Sequence, residues 1–179
     1  MICPYISGID YESVADGPGI RAAIFLSGCN HNCPGCHNPQ THDPFFGQPA
    51  DDNLIDGIAD NLKERDYLTG ITLTGGDPLF NPGYTLAFLR ALRMRLFTRW
   101  NKYSVWLYTG YTWEQVLMRM KKDISLRILV SMCEVVVDGP FVEALADKTL
   151  AFRGSSNQRL IDVQKSLKQG VTVLRDAEF

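Results

Sequence analysis

Three of the five cysteines, Cys29, Cys33 and Cys36, fall within eight positions of the segment Gly28-Cys-Asn-His-Asn-Cys-Pro-Gly-Cys-His-Asn38. A loop this short can turn several sulfurs toward one point, and thiolates gathered that way hold soft metals or iron–sulfur clusters. The number of ligands is informative. A closed structural zinc site or an ordinary electron-carrying cluster takes four protein ligands, whereas this loop offers three thiolates. Three ligands on a four-iron cluster leave one iron open to a substrate. The competing reading is a zinc site completed by His31, His37 or His42, belonging to an interaction module without catalysis. Cys133 opens an apolar strand and reads as a small core residue, and Cys3 reads as a free terminal thiol.

The rest of the chain must supply a scaffold for that loop. Its 179 residues suit one domain with a sizeable core. The expected domain runs over 1–179, with the core in about 5–160 and a tail of unassigned role in 161–179. A net charge of −2 gives no electrostatic footprint for nucleic acid. Neither a signal peptide nor an apolar run long enough to span a membrane is visible. Clustered thiols in an odd total point to metal binding in a reducing compartment, hence to a cytoplasmic protein.

Residues 1–18 read as irregular, ending in the turn Asp16-Gly17-Pro18-Gly19. Strands are expected over 20–27, 70–74, 103–109 and 133–137, with a further one in 160–179. Helices are expected over 51–65, 82–99, 112–121, 124–131 and 141–146, and residues 38–49 read as loop. Strands alternating with helices imply βαβ units and a parallel sheet with helices on its outer face. A complete eight-fold barrel takes about 250 residues, so the expected α/β fold is a partial barrel. Function in such folds collects at the carboxyl ends of strands. The cysteine loop, Gly75-Gly76-Asp77-Pro78, Thr109-Gly110-Tyr111 and Asp138-Gly139-Pro140 should therefore line one rim.

Gly17-Pro-Gly19-Ile-Arg21, Phe25 and Gly28-Cys29-x3-Cys33-x2-Cys36-His37-Asn38 together resemble the signature of radical S-adenosylmethionine enzymes that activate glycyl-radical enzymes. Tyr108-Thr-Gly-Tyr111, Val137-Asp-Gly-Pro-Phe141 and Arg153-Gly-Ser-Ser-Asn-Gln158 are most similar to the activases of anaerobic (class III) ribonucleotide reductase. The resemblance covers roughly residues 5–160. One departure is Gly35, where the superfamily commonly has an aromatic residue.

The resemblance implies a [4Fe–4S] cluster on Cys29, Cys33 and Cys36, with S-adenosylmethionine chelating the fourth iron. Reductive cleavage would then yield a 5′-deoxyadenosyl radical that takes hydrogen from a glycine Cα of the partner. It also implies adenosylmethionine contacts from Gly35, Cys36, His37, Gly75, Gly76 and Asp77. The glycines, lacking Cβ, would let backbone approach the ligand. Asp77 would accept from the ligand's ammonium or cap its own loop. The implied partners are the catalytic subunit of anaerobic ribonucleotide reductase and a low-potential electron donor such as flavodoxin. An activase of the pyruvate formate-lyase type is the nearest alternative. Thr109 and Asp138 lie where some related activases hold a monovalent cation, in a different local motif. Arg153–Gln158 suits a ligand carboxylate, the partner, or a polar turn. Arg90, Arg93, Arg95 and Arg99 read as a solvated basic face.

Overall fold

Alternation along the central strands sorts the chain into two faces. In the computed structural model, which describes residues 4–176, these strands are β2 (Arg21–Leu26), β4 (Gly70–Gly75), β5 (Ser104–Tyr108) and β6 (Val135–Asp138). They pair in parallel and in that order. Ile24, Leu73, Leu107 and Val136 lie side by side across the sheet, with Ala22, Ile71 and Val105 in the neighbouring row. This face carries the main core, to which all five α-helices contribute buried residues. The opposite face presents Phe25, Thr74, Tyr108 and Trp106, with Val135, Val137 and Phe152 packed in a smaller apolar cluster. Helices cover one side, and the other is left for a cavity. Cys3 lies outside the described residues.

The helices begin where side chains can satisfy their free N–H groups. Asp51 accepts from Leu54 N at 2.9 Å before α1 (Asp52–Glu64). Asn81 accepts from Tyr84 N before α2 (Pro82–Leu96). Thr112 and Gln115 form a reciprocal capping box at α3 (Trp113–Met120). Asp123 and Asp162 cap α4 (Ile124–Ser131) and α5 (Val163–Gln169). Arg95 ion-pairs with Asp52 and Asp56, joining α2 to α1. Arg99, in the 3-10 helix Phe97–Lys102 that ends the helix expected over 82–99, pairs with Asp66 after α1, so this part of the expected face is not merely solvated. Arg90 and Arg93 are exposed.

Three expectations are corrected. Residues 5–13 are not irregular but form β1 (Tyr5–Ser13), antiparallel to β2. Two register shifts, between Ile6 and Gly8 and between Asp10 and Ser13, break the alternation by which a strand is recognised. The sheet is mixed, not wholly parallel: β1, the two-residue β3 (Gln48–Pro49) and β7 (Arg159–Asp162) are antiparallel additions. Its order is β3-β1-β2-β4-β5-β6-β7, and it does not close. Parallel return needs a crossover of a dozen or more residues. The 14–20 link between β1 and β2 is too short for one. The 139–158 link is long enough but holds only a 3-10 turn, Glu143–Leu145, where a helix over 141–146 was expected. The further strand expected within 160–179 is present as β7. Beyond β7 and α5 the chain folds back, with Asp162 N donating to Val173 O and Arg175 N to Leu160 O.

Arg21 is fully buried under the cavity face, at 0% exposure. Its Nε donates to Thr72 Oγ1 at 2.8 Å and its Nη1 to Ser104 Oγ at 2.8 Å. Nη2 donates to the carbonyls of Ile71 and Ser104. The guanidinium also lies over the Trp106 ring, 5.4 Å from its centroid. Burial lowers its pKa to about 10, which leaves it protonated at neutral pH. One side chain thus ties β2, β4 and β5 together.

Candidate active site

Strand β2 ends at Leu26, three residues before Cys29, so the sheet delivers the chain directly into the cysteine loop. The loop is drawn shut at its base. Gly28 N donates to Thr41 O at 2.7 Å, and Gly28 O accepts from Asp77 N at 2.8 Å. Within it, Cys36 N donates to Cys33 O, forming a turn that brings the second and third thiols onto the same stretch of wall. All three cysteines are half-buried. Burial raises the Cys29 thiol pKa.

The parallel strands β2, β4, β5 and β6 open their carboxyl ends at one edge, where a cavity of about 810 Å³ lies. That is within the range of small-molecule sites. Cys29, Cys33, Cys36 and His37 line it from the first loop, Gly75 and Gly76 from the second, Thr109 and Gly110 from the third, and Gly139 from the fourth. The expected rim is present. Residues 146–154 and Gln158, returning from β6 to β7, add a wall that the strand pattern did not indicate. Phe25, Thr74 and Tyr108 make the floor, and burial pushes the Tyr108 hydroxyl well above its ordinary pKa while it donates to Phe152 O at 2.8 Å.

Two expected ligand contacts lie off this cavity wall. Gly35 is exposed at φ +69°, and a Cβ there would stand 3.0 Å from the Glu143 carboxyl carbon. Asp77 is 2% exposed and does not line the cavity, its oxygens bonded to protein donors. Its Oδ1 accepts from Leu79 N at 2.7 Å, a cap on its own loop. His37 packs against Phe141, with ring centroids 5.0 Å apart. The missing Cβ of Gly75 and Gly76 also spares protein backbone. A Cβ at Gly75 (φ +101°) would lie 2.6 Å from Leu26 O, and one at Gly76 would lie 2.6 Å from Gly28 O. Both glycines let β4 and its loop press against the backbone that leads to Cys29. Gly76→Ala is therefore expected to lower stability by about 1–3 kcal/mol, read as a reduced urea midpoint at unchanged m-value.

His31 carried no pattern in the sequence, yet it lines the cavity and its Nε2 lies 2.6 Å from Asp77 Oδ2. Only the fold could reveal this pair. Among the described residues, no group of three or more His, Cys, Asp or Glu side chains converges to hold a single metal ion. Thr109 donates to Asp77 Oδ2, and Asp138 is ion-paired with Arg159 at 2.5 Å, so both groups suggested for a cation are engaged by the protein. Segment 153–158 is a clasp. Gln158 accepts from Gly154 N and Ser155 N and donates to Gly139 O, while Asn157 donates to Pro140 O. Arg153 lies on the cavity wall.

Comparison with known proteins places these features in context. Residues 15–161 match the family described as a 4Fe-4S single cluster domain. The chain is similar to the anaerobic ribonucleoside-triphosphate reductase-activating protein of Salmonella typhi, 36% identical over 146 residues that cover 81% of this chain and 90% of that one. The protein of the same name from Escherichia coli K12 gives the same figures. That of bacteriophage T4 is 35% identical over 145 residues, covering 81% of this chain and 85% of the phage protein.

Proposed function

Because the chain belongs to the family of anaerobic ribonucleoside-triphosphate reductase-activating proteins, we propose that it is a radical S-adenosylmethionine activase that generates a glycyl radical on an anaerobic ribonucleotide reductase. The observation that carries this reading is the set of three half-buried thiols on one wall of a cavity that reaches the carboxyl ends of four parallel strands. The donor set fits a [4Fe–4S] cluster. A single zinc ion needs four donors on one point, whereas cluster thiolates each take a different iron, and His31 is already engaged by Asp77. When bound, such a cluster supplies the electron for reductive cleavage of S-adenosylmethionine to methionine and a 5′-deoxyadenosyl radical.

The chain's own residues then bind, orient and exclude water. Cys29, Cys33 and Cys36 would hold the cluster through their thiolates, with one position open to the ligand. The backbone of Gly75 and Gly76 borders the ligand's amino acid end, with Asp77 acting through the shape it gives their loop. Cys36 and His37 face the adenosine, and Gly35 sets the turn that presents them. The apolar floor of Phe25 and Tyr108 keeps the reacting end dry. The open sheet is read as a partial barrel of the radical S-adenosylmethionine type within a single domain, and its missing side gives the partner's glycine a way in. A low-potential donor such as flavodoxin supplies the electron, in the cytoplasm, where the thiols stay reduced. No helix among the described residues is long and apolar enough to cross a membrane.

Anaerobic reconstitution with iron and sulfide, then dithionite and S-adenosylmethionine, is expected to give a cluster signal by electron paramagnetic resonance and 5′-deoxyadenosine. Adding the reductase should give a glycyl-radical doublet. A colourless chain with stoichiometric zinc would falsify the reading, and a doublet with a pyruvate formate-lyase alone would move it to the other activase class.

A further inference from the structure

Asp77 and His31 make a contact that the proposed chemistry does not use. We propose that His31, seated by Asp77, is the positioning residue that fixes the cysteine loop, and Cys29 in particular, against the ends of β4 and β5. The inference rests on the function proposed above and deepens its site. Asp77 Oδ1 accepts from Leu79 N at 2.7 Å, and Oδ2 accepts from Thr109 Oγ1 at 2.9 Å and Gly110 N at 3.1 Å. The remaining contact of Oδ2 is His31 Nε2 at 2.6 Å. One buried carboxylate thus joins its own loop, the end of β5 and the cysteine loop. A carboxylate only accepts, so the ring donates from Nε2.

The ring has a single seat. Its edge meets Tyr111 at 4.5 Å between centroids, and Tyr111 in turn carries the Arg119 guanidinium 4.1 Å from its ring centre. Gly110 leaves the ring its space: a Cβ there would lie 2.4 Å from it. With the side chain held, the His31 backbone N–H is aimed at Cys29 Sγ, 3.5 Å away. Hydrogen bonds to cluster sulfurs help set reduction potential. Outer-shell partners that orient a ligand typically change metal affinity 10–100-fold when lost.

The test compares His31→Ala, His31→Gln, Asp77→Asn and the His31→Ala/Asp77→Asn pair with the parent chain. Iron release to a chelator and the cluster midpoint potential are measured on the reconstituted protein. Hydrogen exchange of amides 29–36 and the urea midpoint are measured on the same chains without iron. His31→Ala and Asp77→Asn are expected to release iron roughly ten-fold faster or more, and His31→Ala to show a more negative potential. The double variant should be no worse than either single one. His31→Gln, which keeps a side-chain N–H, should restore most of the retention. Without iron, exchange across 29–36 should quicken in His31→Ala while the urea midpoint holds. Iron release and exchange unchanged in His31→Ala overturn the proposal, as does faster release explained by a lowered urea midpoint at unaltered potential. A parent chain that takes up no cluster overturns the proposed function instead. The exchange comparison then decides the clamp alone, quickened exchange supporting it and unchanged exchange refuting it.

Discussion

Alanine at Cys29, Cys33 or Cys36 is expected to reduce the cluster signal and 5′-deoxyadenosine formation to background together, each substitution sufficing by itself. The two histidines within residues 28–38 are already in contact with protein groups. His31 is bonded to Asp77 and His37 is packed on Phe141, and no group of His, Cys, Asp or Glu among the described residues gathers in threes. Two remaining thiols would leave two irons open, and the ligand can close only one. Cys133→Ala is the control. That thiol is buried in the core, donates to Leu129 O at 3.4 Å, and is pushed up to about 12 by burial. It should resist alkylation at neutral pH, and its loss should cost about 1 kcal/mol with iron content unchanged. Iron content is the measurement that separates the two groups of variants. If Cys133→Ala also lost its iron, the three-ligand assignment would be wrong.

Arg21→Ala is expected to cost about 3–5 kcal/mol of stability, seen as a large fall in the urea midpoint. The substitution empties a large volume under the sheet. It also strips a donor from two carbonyls and two hydroxyls contributed by β4 and β5. Gly17 and Gly70 shape this seat, since a Cβ at Gly70 would lie 2.3 Å from the guanidinium and one at Gly17 2.8 Å from the side chain. Arg21→Lys keeps the charge and loses the planar fork, so it should recover only part of the loss. An Arg21→Ala chain as stable as the parent would show that the sheet does not depend on this hub.

These contacts change how the motif before the cysteines is understood. Asp16-Gly-Pro-Gly-Ile-Arg21 was legible as a resemblance, but its physical content is the Arg21 seat, which draws on Thr72 and Ser104 from distant strands. Helix positions were legible because Asp51, Asn81, Thr112 and Asp123 cap locally, within a few residues of the groups they satisfy. Strand β1 was hidden by its register shifts, and the direction of β7 by a connection that looked long enough to cross over. At the site, the thiol spacing is a local pattern and could be read directly. His31 acquires meaning only from a carboxylate 46 residues further on. The roles of Gly75 and Gly76 depend likewise on which backbone they abut.

The closed base of the cysteine loop bears on the protein's life outside strict anaerobiosis. Gly28 and Thr41 are hydrogen-bonded to each other at the neck, and Gly28 is bonded to Asp77 as well. None of these backbone bonds needs iron. Oxygen that dismantles a cluster would therefore leave a folded, empty receptacle and not a collapsing chain. Such a protein could be refilled when conditions improve, so recovery from air would depend on a thiol reductant and on the supply of iron and sulfide, and not on new synthesis.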